Sequence, residues 1–303
     1  MAGDYPKGRG RVRLEAAGFE IEGVSIAGHE SFFKLPAFRC LLEFGRAPDD
    51  VVAYSTICLT HGHLDHAAGL AHHSSRRRLL RLPPATIYAP EEAVPDLEAW
   101  LAISQRLENV EYGVHVTPAA AGQSVMLRRD LQITFLPGRH RVPTAGYLIS
   151  EVKHKLDGEL SGMDGAEIAS LRAGGREVTH REEIPLLAYP GDCGPEIFEA
   201  APELYRARVL LIECSFVGEG DRDRARKYAH IHLQDLADRA DLFENEAIVL
   251  AHFSLRYRPF EIRDALARLP ERIADRVIPF LPRPAAPRWR APPPAGHLTG
   301  SGE

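Results

Sequence analysis

Residues 61–66 read His-Gly-His-Leu-Asp-His, and no other stretch of the chain limits its fold as strongly. The apolar run at 54–60 reads as a strand leading into them. Side chains two apart on extended backbone point the same way, so His61 and His63 can grip one cation. Asp65 and His66 fall where the chain turns, at the start of an expected helix, and can face a second cation beside the first. Four ligand-type side chains in six residues is the spacing of a binuclear hydrolase centre. The simpler alternative is a His-rich surface turn.

Composition sets wide bounds. The chain has 303 residues, 45% hydrophobic and 26% charged, an ordinary globular balance that fits one large domain or two small ones. No run of about 18 apolar residues occurs, so no membrane span is expected. Residues 1–13 are basic and Gly-rich and lack the apolar stretch of a secretory signal. Cys40, Cys58, Cys193 and Cys214 stand in or beside strand-like runs, away from zinc-finger or Cys-x-x-Cys spacing. Buried free thiols and a cytoplasmic setting are expected. A formal net charge of −5 means that RNA binding needs a local basic patch. Arg76, Arg77, Arg78 and Arg81 are one candidate, with a solvated helix face as the alternative.

Strand-like runs fill the first half, at 18–27, 37–45, 54–60, 85–90, 114–118, 123–136 and 144–152. The stretch 125–135, broken at Arg128-Arg129-Asp130, predicts a hairpin. Helical patterns lie at 65–80, 91–107, 195–201, 221–229, 233–243 and 259–269. The second half repeats buried strand, polar loop, helix: 186–189 leads to Gly191-Asp192, 209–212 to Glu213, and 247–250 to His252. Strands that deliver chemistry from their C-terminal ends predict a layered α/β core. The expected division is a flexible N-terminus at 1–15, one domain at 16–281 and a disordered Pro-rich tail at 282–303. Within the domain, 153–181 is charged and poor in apolar residues, and reads as a surface insertion with a helix near 166–171.

Further ligands must come from outside the first motif. His140 follows the strand at 131–136 through Pro137-Gly138-Arg139, Asp192 follows Pro190-Gly191, and His252 opens His-Phe-Ser-Leu-Arg-Tyr. Taken singly, each has a plain reading: a surface His, a turn Asp capping the helix near Pro195, a satisfied strand-end His. Taken in order, each at a strand end, they reinforce one another. A carboxylate at the Asp192 turn could bridge two cations, one on each oxygen.

These pieces together resemble the metallo-β-lactamase superfamily, and within it ribonuclease Z, the tRNA 3′-processing endonuclease. The matching residues are Thr60 through His66, Gly138 through Tyr147, Gly191-Asp192, Ile212-Glu213-Cys214-Ser215-Phe216 and His252 through Tyr257, within a span of about 20–281. The resemblance implies an αββα four-layer sandwich with the site at one sheet edge, and two zinc ions. It implies His61, His63 and His140 on one ion, Asp65, His66 and His252 on the other, and Asp192 between them. It also implies that Glu213 partners His230 as the acid for the leaving group, with His232 a rival two residues on. A homodimer is a further implication. The family's Gly-Thr-Gly-type opening is replaced by Ile26-Ala27-Gly28-His29-Glu30, and the Asp at the end of its second strand by a residue near Glu43. Its tRNA-gripping arm corresponds to the shorter 153–181, where acids stand beside the bases.

The expected function is a zinc-dependent phosphodiesterase acting on tRNA precursors, with manganese or iron also suited to His and carboxylate ligands. Asp65 would orient the nucleophile while serving as a ligand, and Arg256 would hold a phosphate oxygen unless it pairs with a structural carboxylate. Two other readings stand beside this one. One is a metallohydrolase of a small phosphodiester, lactone, thioester or sulfate ester. The other is a metal-binding homologue without turnover.

Overall fold

Alternation of side chains along the strands sorts the apolar residues into three layers. In the computed structural model, which describes residues 11–281, Cys40 and Leu42 face one way and Leu41 the other, as a period of two requires. The inner layer joins Phe33, Leu35 and Cys58 to Phe135, Tyr147, Leu187 and Val249, so it lies between two sheets. The outer layers pack helices on each sheet: Leu41, Ile57 and Ile87 meet Leu70 and Leu97, while Leu210 and Leu250 meet Phe198, Leu236 and Ile262. The result is the expected αββα sandwich.

The first sheet is ordered β1 (Val12–Ala16), β2 (Phe19–Ile26), β3 (Glu30–Leu35), β4 (Cys40–Leu42), β5 (Thr56–Cys58), β6 (Thr86–Pro90) and β7 (Val116–Ala119). The second contains β8 (Ser124–Arg128), β9 (Leu131–Pro137), β10 (Ala145–Leu156), β11 (Thr179–Tyr189), β12 (Val209–Glu213), β13 (Ala247–Ala251) and β14 (Val277–Pro279), again in sequential order. In both sheets the first four strands pair antiparallel and the last three follow in parallel. The two halves of the chain thus share one topology. The buried Tyr147 hydroxyl, 2.7 Å from the Leu59 carbonyl and 3.0 Å from that of Tyr88, ties the sheets together near the end of β5.

Several expectations need correction. Residues 12–15 of the expected N-terminal stretch belong to β1, which pairs with β2; residues 1–10 and the expected tail at 282–303 lie outside the described residues. The run at 37–45 is a strand only over β4, because Arg39 and Glu43 adopt left-handed backbone on either side. The helix expected at 65–80 is two, Leu64–Ala67 and Leu70–Leu79, separated where Gly69 donates to the Gly45 carbonyl. The 153–181 segment carries the helix expected near 166–171 and is continuous with the second sheet. Strands β10 and β11 run on into it as an antiparallel ribbon, with Lys153 opposite Glu182 and Leu156 opposite Thr179, and a helix at Gly165–Ala173 caps its end. The hairpin at 125–135 forms as expected, as β8 and β9. Among the described residues no helix is long and apolar enough to cross a membrane, and all four cysteines are buried free thiols.

Two arginines of the basic patch have structural partners, while Arg78 and Arg81 are exposed. The Arg77 guanidinium is buried and donates to the carbonyls of Val52 (2.6 Å), Tyr54 (3.1 Å) and Pro83 (2.6 Å), stitching two loops together. Arg76 pairs with Asp49 at 3.1 Å. Beside Arg77, the fully buried ring of His73 packs against Phe44. Burial, and then the Arg77 charge, push its pKa down to about 4. An unfolded His titrates near 6.5, so between these values the unfolded chain takes up a proton that the folded chain refuses. Stability therefore falls as pH drops from about 6.5 toward 4, by roughly 3 kcal/mol from this group. His73→Leu should flatten that part of the dependence; urea midpoints at pH 7 and pH 5 that move as far in the variant as in the native chain would refute it.

Candidate metal centre

Every residue of the centre stands just beyond the end of a strand or in the turn that follows. Strand β5 stops at Cys58, two residues short of the expected run, and His61 and His63 stand on the loop after it. Asp65 and His66 lie in the one-turn helix Leu64–Ala67. His140 follows β9, Asp192 follows β11, and His252 follows β13 in left-handed backbone (φ 58°). Gly191 has φ 71°, and a Cβ there would come within 2.6 Å of the Thr60 side chain, so only glycine lets Asp192 approach the first motif.

The structure brings all seven predicted side chains together. Ligand atoms of His61, His63, His140 and Asp192 lie within 4.8 Å of one another, and those of Asp65, His66 and His252 form a second such group. Asp192 reaches toward both: its Oδ2 is 3.9 Å from His61 Nε2, 3.5 Å from His66 Nε2 and 3.4 Å from His252 Nε2. Against the opposing effect of burial, the His252 and His66 imidazoles hold its carboxyl well below the usual carboxylate range.

The donor set fits cations. His140 Nδ1 donates to the Ala229 carbonyl (3.0 Å), so the buried Nε2 carries a lone pair and has no hydrogen-bond partner. The Ser215 hydroxyl donates to Glu213 Oε2 (2.8 Å), so it can accept from His252 Nδ1 (3.0 Å) and leave His252 Nε2 unprotonated. That Nε2 faces His66 Nε2 at 3.3 Å. Lone pairs converging on a space that also holds carboxylates need positive charge between them.

The supporting shell was only partly foreseen. Glu43, fully buried, accepts from Thr60 N (3.0 Å), Thr60 Oγ1 (2.5 Å) and Tyr189 Oη (2.9 Å), and lies 3.3 Å from His66 Nδ1. Thr60 Oγ1 in turn is 2.9 Å from His61 Nδ1, so one carboxylate orients histidines of both groups. Gly28 N–H donates to Asp65 Oδ2 (2.8 Å). The sequence marks Glu43, Gly28 and Thr60 as positions in the family resemblance, without showing these contacts.

Glu213 and His230 meet at 2.7 Å. The Glu213 carboxylate also accepts from Ser215 N (2.8 Å) and Ile231 N (3.1 Å), so its orientation is fixed. Burial works against charge on His230, but Glu213 outweighs it and the pKa is pushed up to about 9. His232 is placed elsewhere. Its Nδ1 accepts from Gln234 N (3.0 Å) and its Nε2 donates to the Gly218 carbonyl (2.8 Å), capping the helix Leu233–Ala237. Arg256, partly exposed, lies 3.4 Å from Asp221 and over the Phe216 ring. In the β10–β11 ribbon, cations are paired locally: Lys153 with Glu151 (2.9 Å), Lys155 with Glu182 (2.7 Å) and Arg181 with Glu183 (3.0 Å).

The Beta-lactamase superfamily domain matches residues 31–253. Over 268 residues the chain is 32% identical to tRNase Z TRZ1 of Arabidopsis thaliana, covering 88% of this chain and 96% of that protein. It is 31% identical over 283 residues to the chloroplastic tRNase Z TRZ2 of the same plant, with 91% and 80% covered. The solved structure of the metallo-beta-lactamase fold protein YhfI from Bacillus subtilis aligns with a TM-score of 0.51 at 17% identity, covering 88% of this chain and 89% of that one. That last likeness is one of fold.

Proposed function

Because the chain belongs to the beta-lactamase superfamily, in its tRNase Z branch, we propose that it is a metal-dependent endoribonuclease that cuts tRNA precursors. The observation that carries this reading is the convergence of two ligand groups on Asp192 with the Glu213–His230 pair beside them. In this reading His61, His63 and His140 would hold one zinc ion, Asp65, His66 and His252 would hold a second, and Asp192 would serve both. Two such ions would supply a nucleophile from water at neutral pH and offset charge on the phosphoryl oxygens. Asp65, steadied by Gly28, orients the attacking water. Glu213 fixes His230 through Nδ1 and leaves Nε2 to carry a proton to the departing alkoxide. Buried free thiols suit a reducing compartment such as the cytoplasm. For the homodimer, exposed Leu79, Ile103 and Leu107 offer apolar surface on the helices Leu70–Leu79 and Val94–Glu108, which are joined by Ser75 and Glu108 (2.7 Å).

The locally paired ribbon favours a second reading, a hydrolase of small phosphodiesters. Incubating the protein with a precursor tRNA bearing a 3′ trailer, and in parallel with bis(p-nitrophenyl) phosphate, separates the two. Cleavage at the trailer junction is expected. Hydrolysis of the small diester alone rejects the tRNA reading, and fewer than about one bound zinc, manganese or iron ion per chain by metal analysis rejects both.

A further inference from the structure

A cleft of about 380 Å³ opens directly on the metal centre, with His63, His140 and His230 on its floor and Arg141, Phe216 and Tyr228 in its walls. Tyr228 is 37% exposed, unlike Phe216 at 7%. Two cations crowd its ring: the Arg141 guanidinium lies 5.8 Å from the ring centroid and the Lys227 ammonium 5.7 Å. A planar ring flanked by cations suits a ligand that is both planar and anionic. A nucleotide is such a ligand, its base stacking on an aromatic or guanidinium plane and its phosphate meeting the positive charge.

The ring is also held in register with the chemistry. Tyr228 is the last residue of the helix Arg222–Tyr228, and Ala229 reverses the chain in left-handed backbone (φ 53°). The Ala229 carbonyl takes His140 Nδ1, and His230 follows on Glu213. Stacking ring, expected metal ligand and expected acid therefore belong to three consecutive residues and one hydrogen bond, which fixes the distance from a stacked base to the reacting phosphate.

We propose that Tyr228 and Arg141 form a nucleotide subsite: the base next to the cleaved phosphodiester stacks on the Tyr228 ring while Arg141 meets the adjoining phosphate. The subsite rests on the endoribonuclease reading above. It would let the enzyme grip RNA beside the cut, where the ribbon's own charges are already paired.

The test uses the full chain, a precursor tRNA, and the same precursor made abasic at either nucleotide flanking the cut. Tyr228→Leu should lower kcat/KM on the intact precursor by roughly ten-fold, the size of one lost base–aromatic stack. At one of the two abasic positions the native chain should lose a similar factor, and the variant should lose almost nothing further. Tyr228→Phe, which keeps the ring, should cleave like the native chain. Equal losses by Tyr228→Leu on the intact RNA and on both abasic RNAs, or no loss at all, overturn the subsite while the endoribonuclease reading stands. Failure of the native chain to cut the precursor overturns both.

Discussion

Asp192→Asn is expected to abolish turnover of precursor RNA and of bis(p-nitrophenyl) phosphate alike, by more than about a thousand-fold. The substitution keeps the side chain's size and removes its negative charge. Asp192 Oδ2 lies within 4 Å of His61 from one ligand group and of His66 and His252 from the other, so both lose a partner at once. Losing a residue that merely orients a ligand costs about 10–100-fold, and a shared ligand should cost more. Metal content should fall in the same variant. The fold should survive, because the strand leading to Asp192 is held by β10 on one side and β12 on the other. Turnover within ten-fold of the native chain, in a variant that unfolds at the native urea midpoint, would exclude the bridging role.

What the sequence displayed and what it concealed divide along a physical line. His61, His63, Asp65 and His66 were readable because six consecutive residues supply them, and local backbone alone sets their relation. His140, Asp192 and His252 were readable because each ends a buried apolar run, and a layered α/β fold gathers strand ends at one edge. Glu43, Gly28 and Ser215 act on the centre only through contacts with residues remote in the chain, which leave no periodicity. The β10–β11 ribbon was missed because Lys153 through Leu156 are all exposed. Alternation cannot signal a strand that buries neither face, and backbone pairing alone defines it. His230 and His232 were indistinguishable as two imidazoles in three residues. The cap on the helix Leu233–Ala237 decides between them, because it uses both nitrogens of His232.

His230→Ala should separate two substrates that the metal centre treats alike. An RNA strand leaves as an alkoxide, which needs a proton as the bond breaks; p-nitrophenolate is stable without one. General acid catalysis is worth about 10²–10⁴-fold, so RNA cleavage should fall by roughly that factor and hydrolysis of bis(p-nitrophenyl) phosphate by less than about ten-fold. The pH dependence follows the same logic. With its pKa pushed up to about 9, His230 keeps its proton through neutrality, and RNA cleavage declines only as pH rises through the folded value. Glu213→Gln removes the carboxylate that raises it, so the basic limb for RNA should move to lower pH, while the limb for the nitrophenyl diester stays in place. Equal losses on both substrates in His230→Ala, or a basic limb that ignores Glu213→Gln, would assign the proton to another group.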